Sequence, residues 1–200
     1  FPLKGRGKKM NKENILGTEK VKKLILKFSI PCIISMLVNS LYNIVDQIFI
    51  GHGVGMLGNG ATNVVFPITV VALAFSLMFG DGTSAFLSLK LGENKTDEAA
   101  KGVGNGIVLT LIFAIIFTLL TLIFLPDLLN LFGCTDALRE YATDYGKVIA
   151  YGLPFVIMGT ALNSIIRADG NPKYSSITMI LGAVLNIILD AVAIFILKWG

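Results

Sequence analysis

Leu37-Val-Asn-Ser-Leu-Tyr-Asn-Ile-Val-Asp-Gln-Ile-Phe-Ile-Gly51 places one carboxylate, Asp46, inside a stretch that is otherwise typical of a membrane helix. The same arrangement recurs in Gly182-Ala-Val-Leu-Asn-Ile-Ile-Leu-Asp190. A charged side chain at the centre of a bilayer costs at least about 2.5 kcal/mol, so acids in membrane helices usually face a cavity and mark the path of an ion or substrate. The two stretches therefore indicate an all-α integral membrane protein with a transport function.

The composition of the chain also assigns it to the membrane proteins. Hydrophobic residues make up 54% of its 200 residues, and the mean hydropathy of +0.75 exceeds that of a soluble domain. A spanning helix needs about 20 mostly apolar residues. Five segments meet this requirement, at residues 28–50, 62–89, 104–125, 145–166 and 176–197. Because their apolar runs are continuous rather than alternating, we predict a polytopic helix bundle over residues 28–200.

Lysine and arginine are distributed unevenly along the chain, and their distribution predicts its orientation. Nine of them lie in residues 1–27 and others follow the second and fourth spans, whereas the opposite loops hold only Arg139 and Lys147, apart from Lys198 after the last span. Cytoplasmic loops carry the excess of these residues. We therefore expect residues 1–27 to be a basic cytoplasmic segment of a multi-pass protein in the inner (plasma) membrane of the cell. Contact with anionic membrane lipids then explains the net charge of +4, and no nucleic acid partner is expected.

The two ends of the chain predict a fragment with a foreign start. Residues 1–9 precede Met10 and differ in character from the residues after it, so we expect them not to be native protein. At the other end, Lys198-Trp-Gly200 is typical of an interfacial anchor. We expect the chain to be truncated there.

Three features that occur in enzymes or cofactor proteins have simpler explanations here. Gly53-Val-Gly-Met-Leu-Gly58 fits a dinucleotide-binding pattern, but no predicted strand precedes it, so a flexible turn is favoured. His52 has no second ligand nearby in the sequence, which favours a solvated side chain over a metal site. Cys32 and Cys134 fall near opposite membrane faces, which favours free thiols. We therefore expect no resident cofactor and no enzymatic activity.

Polar side chains share one face of the first span. Counting back from Asp46 by three and four residues gives Asn43 and Tyr42, and Asn39 lies about one turn earlier. Because this face cannot point at lipid, we expect these three side chains to line the substrate cavity. Pro31 removes a backbone hydrogen bond further down the helix and supplies a bending point, so it is the predicted hinge.

The fifth span repeats the arrangement with Asn186 and Asp190, which lie four residues apart. At 1.5 Å per residue, Asp46 lies roughly 27 Å and Asp190 roughly 21 Å beyond the start of its own span. Both acids then lie in the outer half of the bilayer. Two carboxylates that share a site disfavour joint ionisation and hold one proton or one cation between them. The sequence leaves open the alternative that each acid lies at the aqueous rim without a function.

Four stretches, taken in order along the chain, resemble one known family. They are Leu41-Tyr-Asn-Ile-Val-Asp-Gln-Ile-Phe-Ile-Gly51, Ser88-Leu-Lys-Leu-Gly92 with the charged loop after it, Arg167-Ala-Asp-Gly-Asn-Pro-Lys173 and Gly182-Ala-Val-Leu-Asn-Ile-Ile-Leu-Asp190. Together they resemble the multidrug and toxic compound extrusion (MATE) family, and the resemblance runs from about residue 18 to residue 197. It implies a protein of twelve helices in two six-helix lobes. This chain would then hold five helices of the N-terminal lobe and lack the C-terminal lobe.

The resemblance further implies a secondary active antiporter that exports organic, often cationic drugs or toxic metabolites in exchange for protons or sodium. It assigns Asp46, Asn186 and Asp190 to a cation-coupling site, as ligands of sodium where sodium is the coupling ion. A helix-four amide of that site matches Asn163. A proline about which the first helix bends in some members matches Pro31.

In this mechanism the small-molecule substrate and the coupling cation compete for one cavity by alternating access. When Asp46 and Asp190 take up a proton or sodium, their charge no longer attracts a cationic compound. Two other functions stay open on the sequence. A lipid-linked oligosaccharide flippase would share the helix layout but needs central cationic side chains, which these spans lack. An intramembrane aspartyl protease also needs two membrane acids, but Met78 stands where its GxGD motif has the first glycine.

Overall fold

The computed structural model describes residues 20–53 and 55–196, and in these ranges all regular structure is helical. The helices are α1 (Val21–Gly53), α2 (Met56–Gly92), α3 (Thr96–Ile123), the short α4 (Leu125–Leu131), α5 (Asp136–Ala168) and α6 (Pro172–Ala191), which continues into a π-helical turn, Val192–Ile196. All but α4 are long and apolar enough to cross a membrane, α1 from Cys32 onward. The predicted all-α bundle with five spanning helices is confirmed.

Some sequence predictions fall on parts of the chain outside this description. Residues 1–19, which include the segment 1–9, and residues 197–200 are not among those described, nor are the side chains of Pro31 and Asn39. Within the basic segment 1–27, the described part from Val21 onward already belongs to α1. The helix begins before its apolar run because lysine is a good helix former and can extend its charged end into water.

Four of the spanning helices, α1, α2, α3 and α5, are also longer than the apolar segments that predicted them. α2 has 37 residues and α5 has 33. At 1.5 Å per residue these lengths are about 55 Å and 50 Å, against roughly 30 Å of bilayer hydrocarbon. The short helix α4 was not predicted. Pro126 in its first turn separates it from α3, and Leu125 and Leu129 are buried in the main core cluster.

α2 and α5 pack against each other along the centre of the bundle, and α3 lies against both. Small residues permit the close approach, because a Cβ atom on Gly80 would lie only 2.7 Å from the Cα atom of Ala161. Val65, Ala72 and Ile157 are fully buried in the same cluster. α1 packs mainly on α6 and has few contacts with α2. The bundle therefore consists of a three-helix core and a second layer, α1 with α6, that carries both membrane acids.

Ion pairs connect the two sides of the loop between α2 and α3. Lys90 Nζ lies 3.0 Å from Glu98 Oε2 and 3.1 Å from Glu93 Oε2. Lys95 Nζ lies 3.1 Å from the same oxygen of Glu93. Hydrogen bonds from Lys90 and then from Lys95 lower the pKa of Glu93. These ion pairs tie the end of α2 to the start of α3.

Candidate cation site

α1 and α6 bring Asp46 and Asp190 together. The two carboxyl groups lie within hydrogen-bonding reach of each other, and both residues are partly exposed. The contact follows from the long interface between α1 and α6. Counting residues along each helix predicted two acids at similar depth, and the packing of the helices adds that they face each other.

Asn186 lies one helical turn before Asp190 on α6. Asn186 Oδ1 and Asp190 Oδ2 are both buried, and neither atom has a hydrogen-bond partner within residues 20–53 and 55–196. Leaving such an atom unpaired costs about 1–3 kcal/mol. A set of carboxylate and amide oxygens suits a hard cation such as sodium, and a carboxylate pair also suits a shared proton. The residues present therefore fit the coupling-ion site that the resemblance implies.

The residues predicted to line the substrate cavity lie on the same helix as Asp46. Tyr42 is close enough to Asp46 and Asp190 for their charge to act on its hydroxyl group, and its side chain hydrogen-bonds Asn43. α1 is continuous through Asn39 and Pro31, whose side chains lie outside the description. The structure thus brings Tyr42 to the pair of acids, with Asn43 beside it.

Two further residues near the acids had not been predicted from the sequence. Gln47 hydrogen-bonds Asp46, and its Oε1 atom accepts a hydrogen bond from Thr62 Oγ1 at 3.4 Å. Tyr145, near the start of α5, lies within electrostatic range of both acids. Gln47 was overlooked because it lies off the face counted back from Asp46. Tyr145 gave no signal at all, since a lone aromatic residue in an apolar helix is typical of packing.

Asn163 lies on α5, beside the start of α6, whereas Asp190 lies near the end of α6, so the structure does not bring Asn163 to the two acids. Its Nδ2 atom donates to the backbone oxygen of Ser175 at 3.1 Å, and its Oδ1 atom accepts from Ser175 Oγ at 2.7 Å. Ser175 precedes Asp190 by 15 residues, or about 22 Å along the helix. The amide of Asn163 therefore holds the start of α6 against α5, which agrees with its position only four residues before Arg167.

Comparison with known proteins identifies relatives that match most of the length of this chain. A family model described as MatE matches residues 31–192. The multidrug export protein MepA of Staphylococcus haemolyticus is 30% identical over 173 residues, which are 86% of this chain and 38% of that protein.

Two solved structures share the arrangement of the helices. The MATE multidrug transporter DinF-BH, solved in complex with R6G, gives a TM-score of 0.86 at 39% identity, over 92% of this chain and 41% of that one. A MATE structure in the straight conformation gives a TM-score of 0.83 at 30% identity, over 90% of this chain and 40% of that one. The chain thus spans about two fifths of the length of the relatives it matches.

Proposed function

The chain belongs to the MatE family, and on that premise we propose that the full-length protein is a secondary active antiporter that exports organic, mainly cationic compounds in exchange for protons or sodium. The observation that carries the proposal is the meeting of Asp46 and Asp190 beside buried, unpaired oxygens on Asp190 and Asn186. The names of the relatives support the substrate class, since MepA is a multidrug export protein and DinF-BH was solved with R6G.

The proposed coupling step depends on the charge of the two acids. A proton or sodium ion between Asp46 and Asp190 cancels negative charge, and the attraction of the site for an organic cation falls. When the coupling ion leaves, the carboxylates attract the organic cation again. The aromatic rings of Tyr42 and Tyr145 lie near the acids and add a surface that favours cations. Because the two ligands favour different states of one site, alternating access converts the ion gradient into export.

The proposal includes a location and partners. The excess of lysine and arginine in residues 1–27 supports a multi-pass protein of the plasma membrane with a cytoplasmic N-terminus. Membrane lipids cover the exposed apolar side chains of the spanning helices, such as Ile115 and Leu119 on α3. The proposal includes a C-terminal lobe of the same protein, which the resemblance implies and which would complete the transport path. The mechanism uses no nucleic acid and no cofactor other than the coupling ion.

Export from proteoliposomes that contain the full-length gene product tests this function. A pH gradient and a sodium gradient are imposed separately, so that the coupling ion is identified by which gradient drives the export. Asp46→Asn and Asp190→Asn should each abolish gradient-driven export. Asp136→Asn is the matched control, because Asp136 is an exposed acid at the start of α5 that pairs only with Arg139, at 3.5 Å, among the described residues. Normal export by both pair variants would refute the site assignment.

The same preparation tests the proposal that the protein is not an enzyme. Incubation with a helical peptide substrate should leave the peptide intact. Cleavage that disappears in the Asp46→Asn variant would instead identify an intramembrane aspartyl protease, in which two acids activate a water molecule.

A further inference from the structure

Three polar side chains join the last turns of α5 to the first turns of α6. Asn163 Oδ1 accepts a hydrogen bond from Ser175 Oγ at 2.7 Å, and Asn163 Nδ2 donates to the backbone oxygen of Ser175 at 3.1 Å. Asn163 Nδ2 also donates to Thr178 Oγ1 at 3.4 Å, and Thr178 Oγ1 donates to the same backbone oxygen at 2.8 Å. The donors and the acceptor of the Asn163 amide are thus all directed at α6. We call the group of Asn163, Ser175 and Thr178 the clamp.

The clamp resists separation of the two helices. Ser175 is buried and Asn163 is half-buried, so parting them leaves polar groups without partners where little water can replace them. The loop of residues 169–171 is short and keeps the same two helix ends together. Beyond the clamp α6 is less enclosed, because among residues 177–191, all of which the structure describes, Ala183 alone is buried. α6 is therefore attached to α5 chiefly at its start.

The layer of α1 and α6 touches the core a second time, where the end of α1 meets the start of α2, and this contact is weaker. Thr62 Oγ1 lies 3.4 Å from Gln47 Oε1, beyond the usual range of an O–H···O hydrogen bond, and only 2.9 Å from the backbone oxygen of Asn59. The hydroxyl group has one proton, so the shorter bond within α2 competes with the bond to α1. Gly51 lets the helices approach here, since a Cβ atom at Gly51 would lie 2.9 Å from Asn59 Nδ2. The two helices thus meet closely at this end, but the hydrogen bond between them is weak.

α1 and α6 pack mainly on each other, so a tilt of α6 about the clamp takes α1 with it. Asp190 follows Ser175 by 15 residues, or about 22 Å along the helix. A rotation of about 10° at the clamp then moves Asp190 and Asp46 by about 4 Å relative to the core. Such a movement is enough to part Gln47 from Thr62, whereas the clamp itself hardly moves.

We propose that the clamp is the pivot about which α1 and α6 swing as one unit against the core of α2, α3 and α5. The pivot rests on the proposed export function and identifies the part of this chain that moves between the two states of the alternation. The end of α1 closes on the start of α2 in one state and leaves it in the other. Asn163 acts on Asp46 and Asp190 only by holding α6, so it is a positioning residue and not a ligand of the coupling ion.

Two cross-links in the full-length protein test the pivot, because they should have opposite effects on export. Both are made in a background that carries Cys32→Ala and Cys134→Ala, which remove the free thiols of the described residues. In the first pair, Asn163→Cys with Ser175→Cys removes the hydrogen bonds of the clamp, so export from proteoliposomes should fall several-fold while the thiols are reduced. Oxidation, or a short bifunctional methanethiosulfonate reagent, rejoins the helices at the same point and should restore export to nearly the background rate.

In the second pair, Gly51→Cys with Asn59→Cys should export normally while reduced. Cross-linking holds the end of α1 against the start of α2 and should abolish export, and reduction should recover it. Asn163→Cys alone and Gly51→Cys alone are the matched controls, and oxidation should change the export rate of neither. Mass spectrometry confirms that each cross-link has formed.

The outcomes separate the pivot from the function on which it rests. Normal export by the reduced first pair, no recovery when that pair is cross-linked, or normal export by the cross-linked second pair would each overturn the pivot. A missing recovery would show that the Asn163 amide itself is needed, as a ligand would be. Absence of export by the wild-type protein would instead refute the proposed function, and the pivot with it.

Discussion

Replacing Asp190 by Asn is expected to stabilise the protein while it abolishes coupled export. Two like charges about 4 Å apart repel each other by about 4 kcal/mol at an effective dielectric constant of about 20. Partial exposure of Asp46 and Asp190 screens this repulsion, and a shared proton relieves most of what remains. We therefore expect the variant to gain about 1–2 kcal/mol at high pH without sodium. The amide is similar in size to the carboxylate and can still hydrogen-bond Asp46, so the gain is not offset by a cavity.

The apparent melting temperature of the full-length protein measures this gain. At pH 8 without sodium, Asp190→Asn should melt a few degrees above the wild type. In more acidic buffer, where the wild-type pair holds its shared proton, or with sodium if sodium is the coupling ion, the repulsion is already relieved and the difference should shrink. Asp136→Asn should show no shift under any of these conditions. A variant that melts below the wild type at pH 8 would refute the reasoning that the two acids repel each other across α1 and α6.

Three further predictions test single contacts. Tyr145→Phe removes a hydroxyl group near both acids but keeps the ring. Export by this variant should require a several-fold higher concentration of the coupling ion, while the protein folds normally. An unchanged dependence on the ion concentration would contradict a role for the hydroxyl group. Gly80→Val forces a side chain onto the backbone of Ala161 and should lower the free energy of unfolding by about 1–3 kcal/mol. Size-exclusion chromatography should then show less folded protein. Gly82→Val is the control and should fold normally, because a Cβ atom at Gly82 meets nothing within 4 Å. The lysine partners of Glu93 lower its pKa. The ion pairs of Glu93 therefore stabilise the fold at pH values above the usual titration range of a carboxyl group, and this stabilisation is lost as the pH falls through the lowered pKa. Glu93→Gln should accordingly lower the melting temperature at neutral pH and leave it unchanged in acid; the reverse pattern would refute the assignment.

The spanning helices could be predicted because crossing a bilayer requires a long apolar run, which is visible in composition alone. Each of the five predicted segments overlaps a different spanning helix. Their ends could not be predicted in this way, since a helix continues through polar residues once it leaves the hydrocarbon. The helix α4 was missed for the opposite reason. Its leucines extend the apolar character of the third segment, and Pro126 alone marks the break.

The candidate site was predictable only where one helix contains the whole pattern. Acids such as Asp46 and Asp190 are costly in lipid, and counting residues along each helix predicted a similar depth for both, so these expectations needed only single helices. Tyr145 approaches them through the packing of α5, which no local pattern encodes. For Asn163, the prediction and the packing of the helices differ. Matching one position to a family motif assigned it to the cation site, whereas packing places its amide against Ser175.

The division of the bundle into two layers gives the proposed coupling a physical basis. The core of α2, α3 and α5 is closely packed, and interfaces of this kind do not deform continuously. α1 has few contacts with α2, so its position depends mainly on α6. In the proposed mechanism, a cation bound between Asp46 and Asp190 would join α1 to α6, and its loss would leave two charges that repel across the same interface. Occupancy of the site therefore changes the free energy of the contact that positions α1, and such a difference between two states is what ion-driven alternation requires.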